Sequence, residues 1–229
     1  MLLFTDSWDH YATADLTEKW TTLVGAPTVS AGNGRHSSAS LRLTVNTTVL
    51  KGLVSSGSTA VIGFGLRNGA LQISRFVGLY NGTLNRDQVF LQTNTDGSIA
   101  AYRGSTSAGF GLSPGSVLLG TTAAGVLSAG VYAHVAVLVT IHDSAGVVTI
   151  QVNGTTVLAL TGQDTSQGGS NLWTAMWLQN SGGSPLDIDD LYVLDGSGAA
   201  PLTDFLGDCR VDPRMPTGPG ATTQWTPSA

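Results

Sequence analysis

Three clustered aspartates, Asp187, Asp189 and Asp190, sit in the run LDIDDLYVLDG from Leu186 to Gly196 and are the side chains of this chain best suited to chemistry. Hydrolysis of a glycosidic bond needs an acid and a base or nucleophile held at a defined separation, a role paired carboxylates fill. On a β-strand Asp189 and Asp190 point to opposite faces, which keeps neighbours in sequence from flanking one bond. Asp187 and Asp189 share a face, where a strand-end cap or turn role competes with catalysis. Glu18 is the only glutamate in the chain. The histidines, His10, His36, His134 and His142, are scattered; the last two could share a strand face but would lie about 26 Å apart along it, too far to hold one metal. Cys209, the only cysteine, cannot form an intrachain disulfide and has no Cys or His at a metal-ligand spacing. These residues predict a protein that is not an enzyme.

The aromatic side chains offer a different chemistry. Trp8, Trp20, Trp173, Trp177 and Tyr102 are candidate stacking platforms for sugar rings amid Asn, Gln and Asp donors and acceptors, and each is equally a candidate to fill a core. Trp173 and Trp177 are four residues apart, so a regular strand places them on one face. Their exposure discriminates: buried rings mean architecture, exposed rings beside Asn and Asp mean glycan binding. The Gly-rich runs SSGS and SAGNG lack a following Lys-Ser/Thr and a helix, so they make no phosphate loop.

The elements that would position these residues are strands. Residues 130 to 160, GVYAHVAVLVTIHDSAGVVTIQVNGTTVLAL, spell a β-meander: Val135, Val137, Val139 and Ile141 alternate onto one face, and Val148, Ile150 and Val152 do so after a turn at Asp143 to Gly146. Asn153-Gly154 then supplies the positive φ of a two-residue hairpin before a third strand, Thr155 to Leu160. Further apolar runs fall at Leu2 to Thr5, Leu41 to Val45, Val49 to Val54, Ala60 to Arg67, Ile73 to Tyr80, Gln88 to Leu91, Ile99 to Tyr102, Leu172 to Leu178 and Ile188 to Leu194. Clusters such as Asn68-Gly69, Asn81-Gly82 and Asp96-Gly97 separate them, which predicts an all-β, two-sheet antiparallel sandwich over residues 1–195. Ser105 to Gly115 and Gly162 to Ser170 read as loops, and Ala14 to Trp20 as a helical turn that Asp15 caps. In Ala60 to Arg67, Ile62, Phe64 and Leu66 face one way while Val61, Gly63, Gly65 and Arg67 face the other. The glycines there fit either sheet curvature, the simpler reading, or close approach of another backbone or a ligand.

Composition narrows the partners. Charged residues are 11% of the chain, against about 25% in an average soluble domain, so the surface is neutral and hydroxyl-rich. A net charge of -5 with two lysines, Lys19 and Lys51, gives no basic stripe for nucleic acid or for an anionic membrane surface. The start, MLLFTDSWDH, has no positive leader and no run of eighteen apolar residues occurs, which predicts a protein made in the cytosol without membrane insertion. The Asn-X-Thr triplets at Asn46, Asn81 and Asn153 are then turn chemistry.

From residue 196 the pattern changes to Pro and Gly breakers with isolated apolar anchors. Residues 196–229 read as an extended C-terminal arm whose anchors, Phe205, Val211 and Trp225 foremost, bind the parent sandwich or a neighbouring subunit.

With these elements on the page, the chain resembles the concanavalin A-like lectin/glucanase (laminin G-like) jelly rolls. VYAHVAVLVTIHDSAGVVTIQVNGTTVLALTG is similar to that superfamily's strand, turn, strand, VNG, strand core, and LDIDDLYVLDG to its closing strand. More narrowly, IDDLYVLDGSG followed by DFLGDCRV and QWTPS resembles a group of tailed-bacteriophage virion proteins that carry this jelly roll. The resemblance implies a noncatalytic structural component of a phage virion, tail- or fibre-associated or a head decoration protein. Its implied partners are other virion proteins and copies of itself, a trimer being the symmetry that fits phage fibres. The rival reading is a carbohydrate-binding module for host-surface glycan. The superfamily's paired catalytic glutamates are absent from this chain. The superfamily also implies a Ca2+ site, for which Asp6 or Asp9 and Asp189 or Asp190 would be the ligands; the competing role is a buried Asp accepting N–H bonds.

Overall fold

The structure, a computed structural model, describes residues 1–104 and 115–212. Its strands are β1 (Leu2–Asp6), β2 (Thr22–Val24), β3 (Thr28–Ser30), β4 (Ser40–Leu43), β5 (Thr47–Gly57), β6 (Thr59–Asn68), β7 (Ser74–Asn81), β8 (Arg86–Thr93), β9 (Ile99–Arg103), β10 (Val117–Thr121), β11 (Tyr132–Thr140), β12 (Gly146–Val152), β13 (Thr155–Gln163), β14 (Trp173–Asn180) and β15 (Leu186–Leu194). They form two antiparallel sheets. One runs β13-β12-β11-β6-β15-β4-β3, with β1 also pairing β15; the other runs β10-β9-β8-β7-β14-β5-β2. The chain is therefore an all-β, jelly-roll-type sandwich, as its alternation predicts.

The core lies between the sheets. Ile62, Phe64 and Leu66 from β6 and Val135, Val137 and Val139 from β11 meet Phe76, Val89, Leu91, Met176 and Leu178 from the other sheet. Phe64 and Phe76 make an edge contact at 6.1 Å between the layers. Burying each such side chain contributes about 1.5–3 kcal/mol. The meander occupies one end of its sheet, and Asn153 and Gly154 both take positive φ, 50° and 77°, as the hairpin turn requires.

Three strands have no counterpart in the sequence reading. β2 and β3 are three residues long, too short to alternate visibly, and β10 is an edge strand of mostly exposed residues. The helical turn near Ala14 is a 3-10 turn (Thr13–Asp15) followed by α1 (Leu16–Lys19); Asp15 accepts from the Ala12 N–H at 2.9 Å instead of capping α1. Among the described residues no helix is long and apolar enough to cross a membrane.

The glycines of β6 make room for side chains of the same chain, which neither curvature nor approach of a backbone or a ligand anticipated. Tyr192 lays its ring over Gly63 and Arg35 lays its alkyl stem over Gly65, and a methyl group at either position would overlap them. Of the loop expected at 162–170, Gly162 and Gln163 belong to β13 and the loop begins at residue 164; the loop expected at 105–115 lies almost wholly outside the described residues. The arm's described part crosses the outer face of the same sheet: Leu202, Phe205, Leu206 and Cys209 pack on Val61, Tyr192 and Leu194.

Candidate functional site

An aromatic cluster outside the core forms on the outer face of the second sheet. On β8, Val89 and Leu91 enter the core, so Phe90 between them projects outward; on β14, Met176 and Leu178 enter the core and Trp177 projects outward. Trp177 pairs with Gly78 of β7 and its indole lies across that glycine, which must lack a side chain to admit it. From there the indole Nε1 donates to Asp87 Oδ1 at 2.6 Å, and the ring sits 6.4 Å from Phe90. Phe90 stacks on Tyr102 of β9, centroids 5.2 Å apart and planes 8° from parallel. Tyr80 closes the cluster on β7 and donates its phenol to Asn85 Oδ1.

Trp177 and Phe90 are fully buried, whereas Tyr80 and Tyr102 keep part of their rings in solvent. Arg75 and Gln92, paired across β7 and β8, border the cluster. Burial pushes the Arg75 guanidinium below its ordinary value, with Asp87 pulling the other way; burial and Asp87 together raise the Tyr80 phenol. The face thus presents two half-buried tyrosines and a half-buried guanidinium, with the Asp87 carboxylate and the Gln92 amide buried behind them.

The tryptophans expected to serve as platforms do not. Trp8 and Trp20 stack at 6.2 Å within the core, and Trp20 Nε1 donates to Asp6 at 3.0 Å. Trp173 is core as well, so Trp173 and Trp177 lie on opposite faces, not one. The pairing with β5 shifts register between Trp173 and Ala175, and that irregularity cancels the parity their spacing implies. Of the residues read as platforms, Tyr102 alone sits where a ring can reach solvent among these polar groups. Phe90, Tyr80, Arg75 and Asp87 escaped the sequence reading. The available signal was Phe90, an aromatic between two core-facing aliphatics.

The aspartates cluster on the other sheet. Asp187 binds Arg42 (Nε, 2.8 Å) and Arg67 (Nη2, 2.8 Å), an ion-paired girder across β4, β15 and β6. Asp189 and Asp190 do not diverge as strand parity predicts, because a bulge with Asp190 at φ 52° turns both toward Arg35. Asp189 accepts from Arg35 N at 2.8 Å and Ser38 Oγ at 2.9 Å, and Asp190 pairs with Arg35 Nη1 at 3.2 Å. Burial, then the charge of Asp190, pushes the Asp189 carboxyl up to about 7; burial also raises Asp190.

These groups do not fit a calcium ion. Asp6 accepts from Trp8 N, Tyr11 Oη, Lys19 Nζ and Trp20 Nε1. Asp9 accepts from Ala39 N at 2.8 Å. Arg35 already compensates Asp190, and among the described residues no three His, Cys, Asp or Glu side chains group to hold a metal. The four carboxylates act as acceptors for protein donors, the competing role.

Of the arm anchors, Phe205 packs on the parent sandwich and Val211 donates its N–H to Asp190 Oδ1 at 2.9 Å. Trp225 lies outside the described residues.

No protein-family model matches the chain, and no curated protein matches it. Among solved structures the chain is similar to the alginate lyase Aly36B, at 17% identity and TM-score 0.53, covering 83% of this chain and 95% of that one. A structure of an Aly36B variant with alginate tetrasaccharide matches at 15% identity and TM-score 0.51 over 83% and 95%. Domain 4 of AbnA, an extracellular arabinanase of Geobacillus stearothermophilus, in complex with arabinotriose, matches at 16% identity and TM-score 0.52 over 84% and 91%. At these identities the likeness establishes the sandwich fold.

Proposed function

We infer that this domain is a noncatalytic carbohydrate-binding sandwich that holds glycan on the outer face of β7, β8, β9 and β14. The observation that carries the reading is the cluster of Trp177, Phe90, Tyr102 and Tyr80 built outside the core, with Tyr80 and Tyr102 accessible. Phe90 stacks on Tyr102 and Trp177 packs beside Phe90, which holds the aromatic row rigid, and the half-buried Arg75 lies at the border as the polar group within reach of a ligand. Neighbouring folds solved with arabinotriose and with an alginate tetrasaccharide add support. The charge layout supports binding without hydrolysis: among the described residues Asp87 is the one carboxylate contributed by β5, β7, β8, β9 and β14, and it is engaged by Trp177 instead of paired with a second carboxylate. A glycan array with neutral and acidic polysaccharides tests this, followed by Tyr102→Ala. Binding weakened about tenfold, some 1.4 kcal/mol, is expected. A blank array, or affinity untouched by Tyr102→Ala, overturns the reading.

The second reading concerns where the domain works: as a structural component of a phage virion, tail- or fibre-associated or a head decoration, with virion proteins and further copies of itself as partners. The arm supports it, because Leu202, Phe205 and Leu206, packed here on the parent sandwich, are apolar anchors of the kind that seat on a second copy. The low charge of the surface suits a permanently assembled subunit. The two readings are compatible, since a virion appendage is where host glycan is met.

A further inference from the structure

His134 lies beneath the arm in an unusual state. Its β11 neighbours Val135 and Val137 belong to the core, so the imidazole projects to the outer face, where Leu138 and Tyr192 meet arm residues Leu202, Phe205, Leu206 and Cys209. It is 2% exposed, and neither Nδ1 nor Nε2 has a hydrogen-bond partner. The Tyr192 ring stacks on it at 6.4 Å and 25°. A buried imidazole that has given up its water on both nitrogens without replacement is held neutral at a cost.

The arm is tied over this face by few polar contacts. Arg35 Nη2 binds Asp208 Oδ1 at 2.6 Å, Val211 N donates to Asp190 Oδ1 at 2.9 Å, and Leu206 N donates to the Tyr192 hydroxyl at 3.3 Å. Arg35 is the hub, since its other nitrogen reaches Asp190 at 3.2 Å. Lifting residues 199–212 breaks these contacts and lets water reach His134.

We propose that residues 199–212 are an acid-released strap whose trigger is the buried, unpartnered His134. Burial is the leading influence that lowers the imidazole from its ordinary value of 6.5, with Arg35 acting in the same direction and Asp208 and Asp190 opposing. The strapped form therefore binds a proton less readily than the lifted form, and acid pulls the equilibrium toward lifting from pH 6.5 downward. Asp208 and Cys209 face His134 from the strap, Asp190 and Tyr192 from β15, Arg35 from the loop before β4, with His36 and Asp9 acting on Asp190 from beyond. Tyr192 and Cys209 are raised by burial and stay protonated across this range. Asp190 is raised by burial, while the Val211 N–H of the strap and the Arg35 guanidinium favour its charged form, so its protonation in stronger acid weakens the same tie. Asp189 draws its donors from Arg35, Ser38 and Asp190, none of them in the strap, so lifting the strap removes none of them. Lifting uncovers Val61, Tyr192 and Leu194, an apolar face for a further contact.

The experiment is hydrogen exchange of the full chain between about pH 7.5 and about pH 5, corrected for intrinsic rates, with the His134 imidazole followed by NMR in the same samples. Protection of amides 205–211 is expected to fall up to about tenfold per pH unit below 6.5, with the imidazole titrating over the same range. His134→Gln is expected to leave strap protection independent of pH there. Unchanged protection in the unmodified chain, an imidazole that titrates while the strap stays protected, or release that persists in His134→Gln overturns the proposal. The NMR titration on the unmodified chain decides the matter even if the variant does not fold.

Discussion

Gly78 and Gly63 do the same work on opposite outer faces of the sandwich: each carries a large ring laid flat across the backbone, Trp177 on one and Tyr192 on the other. A methyl group has nowhere to go at Gly78, since the indole is fixed by its bond to Asp87 and its packing on Phe90. Gly78→Ala is expected to cost about 1–3 kcal/mol in urea denaturation and to displace Trp177. Asp187 is a second single point of failure. Its replacement by Ala leaves Arg42 and Arg67 facing each other without a counter-charge, and a loss of about 2–4 kcal/mol is expected in the same measurement. Asp189 makes stability depend on pH. Its folded carboxyl, near 7, holds a proton that the unfolded chain releases at 3.8, so its contribution is present in acid and is lost as pH rises through about 7. Thermal melts are expected to gain stability as pH falls from about 8 to about 6.5, before His134 begins to oppose, and Asp189→Asn is expected to flatten that slope.

At the scale of elements, irregular strands decide more than regular ones. β11 and β12 follow their sequence alternation residue by residue, whereas β13 pairs with β12 through two register shifts, and Asn153-Gly154 turns where the pair predicts. Asn153 also accepts the His134 N–H at 2.9 Å, so it serves the turn through its positive φ and the strand through its side chain. Asn153→Ala is expected to cost about 1–2 kcal/mol, read by denaturant midpoint, from the strained φ and the lost acceptor together. The irregularity between β14 and β5 sends Trp173 into the core and leaves Trp177 outside, and the bulge in β15 turns Asp189 and Asp190 toward one arginine. Neither was legible in the sequence, because a single residue out of register reverses every parity argument beyond it.

For the whole molecule, the two outer faces carry different roles: aromatic rings edged by polar groups on one, ion pairs and the arm on the other. Removing residues 196–229 bares Tyr192 and leaves Asp190 without the Val211 N–H. Light scattering of the full and truncated chains is the check on the assembly reading: an oligomer that becomes a monomer on truncation is expected, and a monomer in both forms assigns the arm to its own sandwich alone. The sequence by itself determined the all-β class, most of the strands, the hairpin, the inward face of β6 and the lack of glutamate pairs, because period-two burial and positive-φ turn residues are local properties. Tertiary structure alone decided that Tyr80 and Tyr102 are the partly exposed rings of their cluster, that the glycines of β6 lie under Tyr192 and Arg35, and that Asp6, Asp187, Asp189 and Asp190 are spent on protein donors. Those outcomes depend on which strands become neighbours across β6, β15, β7 and β14, and on where a bulge falls, and strand pairing joins residues far apart in the chain whose side chains bear no mark of their partners.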